Sequence, residues 1–178
     1  MSSWFLPSTE SEPSLHTQFP GYLYYSLQTG PEILNRLHEN VDIVFSPEAR
    51  VIAHQNTSLP HSTESGPDWD LDWVIADDDI IVGYESAVDG SLDQTQLQNA
   101  LEKVELNAEG RDVLLFAITP ETSRPEVMTQ FANEPVQWLS WSSIARQLFQ
   151  IDETEVDSEQ LALLRMMQDL FEAHGFGP

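Results

Sequence analysis

The stretch Pro67-Asp68-Trp69-Asp70-Leu71-Asp72-Trp73-Val74-Ile75-Ala76-Asp77-Asp78-Asp79-Ile80-Ile81-Val82-Gly83-Tyr84-Glu85-Ser86-Ala87 decides how the chain is read. Two short apolar runs, Leu71 with Trp73 to Ile75 and Ile80 to Val82 with Tyr84, meet at an acidic turn. Their β-branched and aromatic side chains favour strands over a helix. Asp77-Asp78-Asp79 supplies the turn, although Asp-Asp is a weaker turn signal than Asn-Gly. Closure through Asp78 and Asp79 pairs residues equidistant from the turn, so Asp72 faces Glu85 on one side of the sheet. A slip of one residue would send one of the two carboxylates to the other face.

Two carboxylates so placed repel unless a proton or a cation lies between them, and their oxygens suit a hard divalent ion such as Mg²⁺. Around these residues the chain resembles the PD-(D/E)xK, or restriction-endonuclease-like, nuclease superfamily. The core hairpin of that superfamily carries an Asp on one strand and an acidic-x-Lys triplet on the next. The chain is similar in particular to a D-W-hydrophobic-hydrophobic … G-Y-E-S-K form found in salt-adapted archaea. Asp72-Trp73-Val74-Ile75 and Gly83-Tyr84-Glu85-Ser86 stand for its two segments. The likeness spans Pro31 to Phe149, including a strand followed by a tryptophan-serine helix start at Trp141-Ser142, and reaches neither terminus.

The resemblance implies an α/β fold with an αβββαβ core, a mixed central sheet flanked by helices. It implies a site in which Asp72, Glu85 and the Ser86 carbonyl hold Mg²⁺ or Mn²⁺, and hydrolysis of DNA phosphodiester bonds in restriction, repair or defence. Ala87 stands where the motif lysine belongs, so the group that orients and activates the water is missing. Three accounts compete: a form altered to trap an inactive enzyme, a naturally silent module, or a basic group that has migrated from Lys103, Arg50 or Arg111. The first reading is therefore a metal-dependent DNA nuclease impaired at Ala87. The alternative is a catalytically silent nuclease-like module that binds nucleic acid or a protein partner. A third reading makes Asp72 and Glu85 ordinary polar strand ends.

At 178 residues the chain is long enough for one domain with a full core. The expected organisation is an irregular arm over residues 1–30, a core domain over 31–150, and a C-terminal helix over 151–178 packed on the core or on a partner, a second copy included. With no cysteine there is no disulfide, thiolate zinc site or cysteine nucleophile. No apolar run approaches bilayer-spanning length, and Met1 to Pro7 lacks a basic region followed by a long apolar one. A soluble, cytoplasmic protein with no membrane partner is expected.

The net charge of −23 comes from 30 acidic residues spread along the chain against 7 basic ones. An acidic mimic of nucleic acid is one reading. A cytoplasm holding molar salt is the preferred one, because a Debye length of about 3 Å screens self-repulsion. Scarce lysine beside 40% hydrophobic content fits a folded, salt-adapted protein. No basic face for DNA is visible, which in molar salt counts only mildly against a nuclease.

Along the chain, Pro31 to His38 reads as a short amphipathic helix. Glu32 on it matches a helix glutamate that faces the metal in the resembled family, but a glutamate in the first turn is accounted for more readily by the helix dipole. Val41 to Phe45 and Arg50 to His54 read as extended, the second as the strand before the hairpin. Asp70, two residues ahead of Asp72, is a further supporting carboxylate. Asp93 to Leu106 has helical spacing, and Gln96, with Gln94 in reserve, matches a position that reaches the site in the look-alikes. Arg111 to Pro120 reads as a buried strand, Val136 to Trp141 as the next, Trp141 to Phe149 as a capped helix, and Asp157 to His174 as a final helix.

Overall fold

The two apolar runs pair as their turn requires. In the computed structural model, which describes residues 15–54, 71–87 and 90–177, β2 (Trp73–Ala76) and β3 (Ile80–Ser86) are antiparallel, with Trp73 opposite Tyr84 and Ala76 opposite Ile81. The Asp77 N–H closes the loop on the Ile80 carbonyl at 2.9 Å. Neither Asp78 nor Asp79 takes a positive φ, so the loop does without the left-handed pair that Asn-Gly would provide. Asp77 supports it instead. Its carboxylate accepts from the Ser46 N–H at 2.6 Å, from the Ser46 hydroxyl and from the Asp78 N–H at 2.8 Å. Burial raises the Asp77 pKa, but these bonds outweigh it and hold the group below the usual Asp value.

Further strands extend the hairpin on both sides. β1 (Arg50–His54) lies antiparallel to β2, while β4 (Asp112–Thr119) is parallel to β3 and β5 (Val136–Ser140) is parallel to β4. The strand order β1-β2-β3-β4-β5 makes an α/β fold with a mixed five-stranded sheet flanked by helices. Joining β3 to β4 is α3 (Gln94–Leu106), where Asp93 caps the first turn by accepting from the Gln96 N–H at 2.8 Å. Its buried stripe of Leu97, Ala100, Leu101 and Val104 packs on Val74, Ile81 and Leu115.

That contact explains a glycine. A Cβ on Gly83 would lie 2.6 Å from Val104 Cγ2 and 2.7 Å from Leu71 Cδ2. Gly83→Ala is therefore expected to destabilise the fold by about 1–3 kcal/mol through overpacking. A lower urea midpoint at unchanged m would record this.

The opposite face of the sheet is covered by α1 (Leu15–Ser26), α2 (Glu32–Leu37), α4 (Trp141–Gln150) and α5 (Ser158–Ala173). Across β2, β3 and β4 the registered residues Trp73, Tyr84 and Phe116 stack on that face, with centroids 4.8 and 5.4 Å apart. His38, at the end of α2, is buried against them. Its Nδ1–H donates to the Leu34 carbonyl and its Nε2 accepts from the Tyr84 hydroxyl, both at 2.8 Å. Burial lowers its pKa to about 4, against the opposing effect of the Leu34 bond.

Two sequence expectations are corrected. The irregular arm expected over residues 1–30 contains a helix from Leu15 to Ser26 despite Pro20 within it. Leu15, Phe19, Leu23 and Leu27 recur every fourth residue, and all are buried in the main core, which offsets the roughly 3 kcal/mol cost of an interior proline. The segment from Val41 to Phe45 forms no strand. Asn35 occupies both backbone groups of Phe45, accepting from its N–H at 2.6 Å and donating to its carbonyl at 3.0 Å. The final helix packs on the core through Leu164, Met167, Leu170 and Phe171. No helix among the described residues is long and apolar enough to cross a membrane.

Candidate functional site

Because β3, β4 and β5 are parallel, their C-terminal ends share one end of the sheet, and the antiparallel β2 begins there. Ligands of open α/β sheets bind outside the carboxyl ends of parallel strands. Asp72, Glu85, Ser86, Ala87, Thr119 and Ser140 all fall at this end.

Glu85, next to last in β3, is 8% exposed. Strand alternation puts it on the α3 face with Ile81 and Gly83, while Tyr84 turns to the other side. Gln96, in the first turn of α3, donates its side-chain amide to Glu85 Oε1. The positive end of the helix dipole adds to that support for the anion.

Asp72 is 6% exposed and ends the hairpin with a slip. Its N–H donates at 3.2 Å to the carbonyl of Tyr84, the residue already registered against Trp73. Leu71 consequently packs with Val74 on the α3 face, where strict alternation would have set it beside Trp73. The equidistant register thus holds from Trp73 to Ala76 and gives way at Asp72, so the expected facing of Asp72 and Glu85 on one side of the sheet is not formed: Asp72 engages Ser86, whose side chain alternates with that of Glu85, while Glu85 turns to α3. The Asp72 carboxylate accepts from the Ser86 N–H at 2.7 Å and from the Ser86 hydroxyl.

The direction of the Ser86 carbonyl follows from its neighbours. The Ala87 N–H donates to the Ile118 carbonyl of β4 at 2.8 Å, and the chain has no cis peptide bond among the described residues. In a trans peptide the C=O points opposite to the N–H, so the Ser86 carbonyl is directed away from β4. That is the side on which the Ser86 N–H meets Asp72. A carboxylate and a carbonyl oxygen therefore share one side of the strand end.

Other candidates lie elsewhere. Glu32 opens α2 on the opposite face of the sheet and accepts from the Gln160 amide of α5, so it is not brought to Glu85. Gln94 is exposed at the start of α3. Asp70 lies outside the described residues. Arg50 is opposite Ala76, and the Arg111 Nε donates to the Asp77 carbonyl at 2.9 Å, so both occupy the hairpin-turn end of the sheet. Lys103 lies two turns beyond Gln96, about 10 Å further along α3. None of the three lies on the strand end that bears Ala87. Ala87 is half-buried against the α3-side core. Among the described residues no three His, Asp or Glu side chains converge.

A residue that pattern reading leaves without a role is Trp141, whose indole Nε1 donates to the Ala87 carbonyl at 2.8 Å. Its position as the first helical residue after β5 was the available signal. No protein-family model matches the chain, and no curated protein matches it.

Proposed function

We propose that this end of the sheet is a divalent-cation site of nuclease type, directed at DNA phosphodiester bonds and impaired at Ala87. The observation that carries the reading is the placement of the Ser86 carbonyl and the Asp72 carboxylate on one side of the strand end that also bears the buried Glu85. The element order α2, β1, β2, β3, α3, β4, with a parallel β3 and β4, supports it further. Asp72, Glu85 and the Ser86 carbonyl would hold Mg²⁺ or Mn²⁺. Magnesium commonly takes one or two carboxylates and keeps several waters, so a donor set with two acidic side chains fits it. Bound there, the ion would polarise a phosphate oxygen and lower the pKa of a coordinated water. The residues of the chain orient the ion: Ser86 steers Asp72, and Gln96 steers Glu85.

The test is thermal. In concentrated KCl, Mn²⁺ at a hundred times its Kd would stabilise the protein by about 2.7 kcal/mol. For a chain of this size that is a rise in Tm of roughly 5–10 °C. Asp72→Asn is expected to abolish the rise; an equal rise in the variant would place any binding elsewhere. Ala87 itself favours a second reading, a module that keeps the fold and binds nucleic acid or a protein without cleaving. Metal-independent oligonucleotide binding by both proteins would support that reading.

A further inference from the structure

We propose that Trp141 is a positioning residue for this site, acting through the Ala87 carbonyl to fix the direction of the Ser86 carbonyl. The inference rests on reading Asp72, Glu85 and Ser86 as an ion site. The ladder of β3 ends at this point: on the β2 side the register stops at Tyr84, and on the β4 side the last registered pair is Ser86 with Ile118. One residue further, Ala87 keeps a single backbone bond to the sheet, from its N–H to the Ile118 carbonyl. Ser86 is held by Asp72, but Ala87, tied to the sheet at that one point, can still tilt and turn the Ser86–Ala87 peptide with it. The Trp141 indole supplies the second point, 2.8 Å from the Ala87 carbonyl.

The holder is itself rigid. Trp141 is fully buried, with its ring 6.2 Å from Phe19 of α1 and 5.9 Å from Phe171 of α5. The helix that carries it starts in a capping box, in which the Ser140 hydroxyl accepts from the Ser143 N–H at 3.0 Å and the Ser143 hydroxyl accepts from the Ser140 N–H at 3.2 Å. A buried indole N–H usually finds a partner, and this one takes it from the strand end next to Ser86 rather than from its own helix. Both carbonyls belong to successive peptides, so fixing the second constrains the first. Preorganised ligand direction is what such outer contacts contribute to ion affinity.

Isothermal titration of Mn²⁺ into the full chain in molar KCl tests this, comparing the parent protein with Trp141→Phe and Leu164→Ala. Leu164 is buried in α5, so its truncation lowers stability while leaving the indole bond to Ala87 in place. Trp141→Phe is expected to weaken Mn²⁺ binding by about tenfold while Leu164→Ala leaves it unchanged. Equal affinity in Trp141→Phe, or an equal loss in both variants, overturns the inference and leaves the ion site standing. Absence of Mn²⁺ binding by the parent overturns the ion site and the inference with it. Should Trp141→Phe not fold, the parent still answers through its ¹⁵N-labelled indoles. The Trp141 N–H signal is expected to shift with Mg²⁺ in parallel with binding and to stay still in Asp72→Asn. A signal that stays still in the parent while Mg²⁺ binds overturns the inference.

Discussion

Ala87→Lys is expected to give Mn²⁺-dependent cleavage of DNA in molar salt, at a rate at least about a hundredfold above that of the parent, the usual scale for a positioned acid–base group. The position is prepared for the change. Ala87 alternates with Glu85 on the strand, so a side chain there emerges on the same face as the Glu85 carboxylate. Both of its backbone groups are already engaged, the N–H by Ile118 and the carbonyl by Trp141, and neither bond depends on the side chain. The site is half-buried beside the apolar α3-side core, along which a lysine stem can lie with its ammonium toward the Glu85 carboxylate. Neighbouring anions favour the charged ammonium. Cleavage of single- or double-stranded substrates by the lysine form alone would identify Ala87 as the removed catalytic position. Cleavage by both proteins would require a base from another element, although Arg50 and Arg111 sit at the opposite end of the sheet. Cleavage by neither favours the silent module.

The second large effect is acid sensitivity from His38. Its pKa is about 4 in the fold and 6.5 as a free group, because burial among Phe45, Tyr84 and Phe116 disfavours the imidazolium. Between those values the unfolded chain binds a proton that the folded chain does not, so stability rises with pH across the window. The contribution is complete above pH 6.5 and is lost progressively as pH falls toward 4, amounting to about 3 kcal/mol. Protonation also removes the acceptor at Nε2 that the Tyr84 hydroxyl uses. Urea titrations at pH 7 and pH 4.5 measure the loss. The many carboxylates add their own slope, so the informative quantity is the difference between the parent and His38→Gln. The variant is expected to lose about 2 kcal/mol less over this interval; parallel pH profiles would refute the assignment.

Much of the scaffold was legible because its signals are local. Asp93 caps α3 where the spacing of Leu97, Ala100, Leu101 and Val104 requires a start. The apolar run of β4 and the Ser140 cap of α4 likewise sit next to the elements they define. Gln96 could be singled out from a family pattern, and the fold brings it to Glu85. Elsewhere local signals misled. Pro20-Gly21 marks a break in any short window, yet α1 forms because its buried stripe packs on α5 and the sheet. Asn35 gives no sign that it will take over both backbone groups of Phe45. Glu32 matches a pattern position and lies across the sheet.

The amino-acid sequence alone determined the hairpin, its register from Trp73 to Ala76 and the arrival of Asp72 and Glu85 near one strand end. Side-chain alternation and turn closure act between neighbours in the chain, so they can be read from it. Only the tertiary structure decided the slip at Asp72, the direction of the Ser86 carbonyl and the hold of Trp141 on Ala87. Each of these depends on which donor meets which acceptor across different elements. Trp141 and Ala87 are 54 positions apart, and no periodicity in either segment encodes the partner of the other.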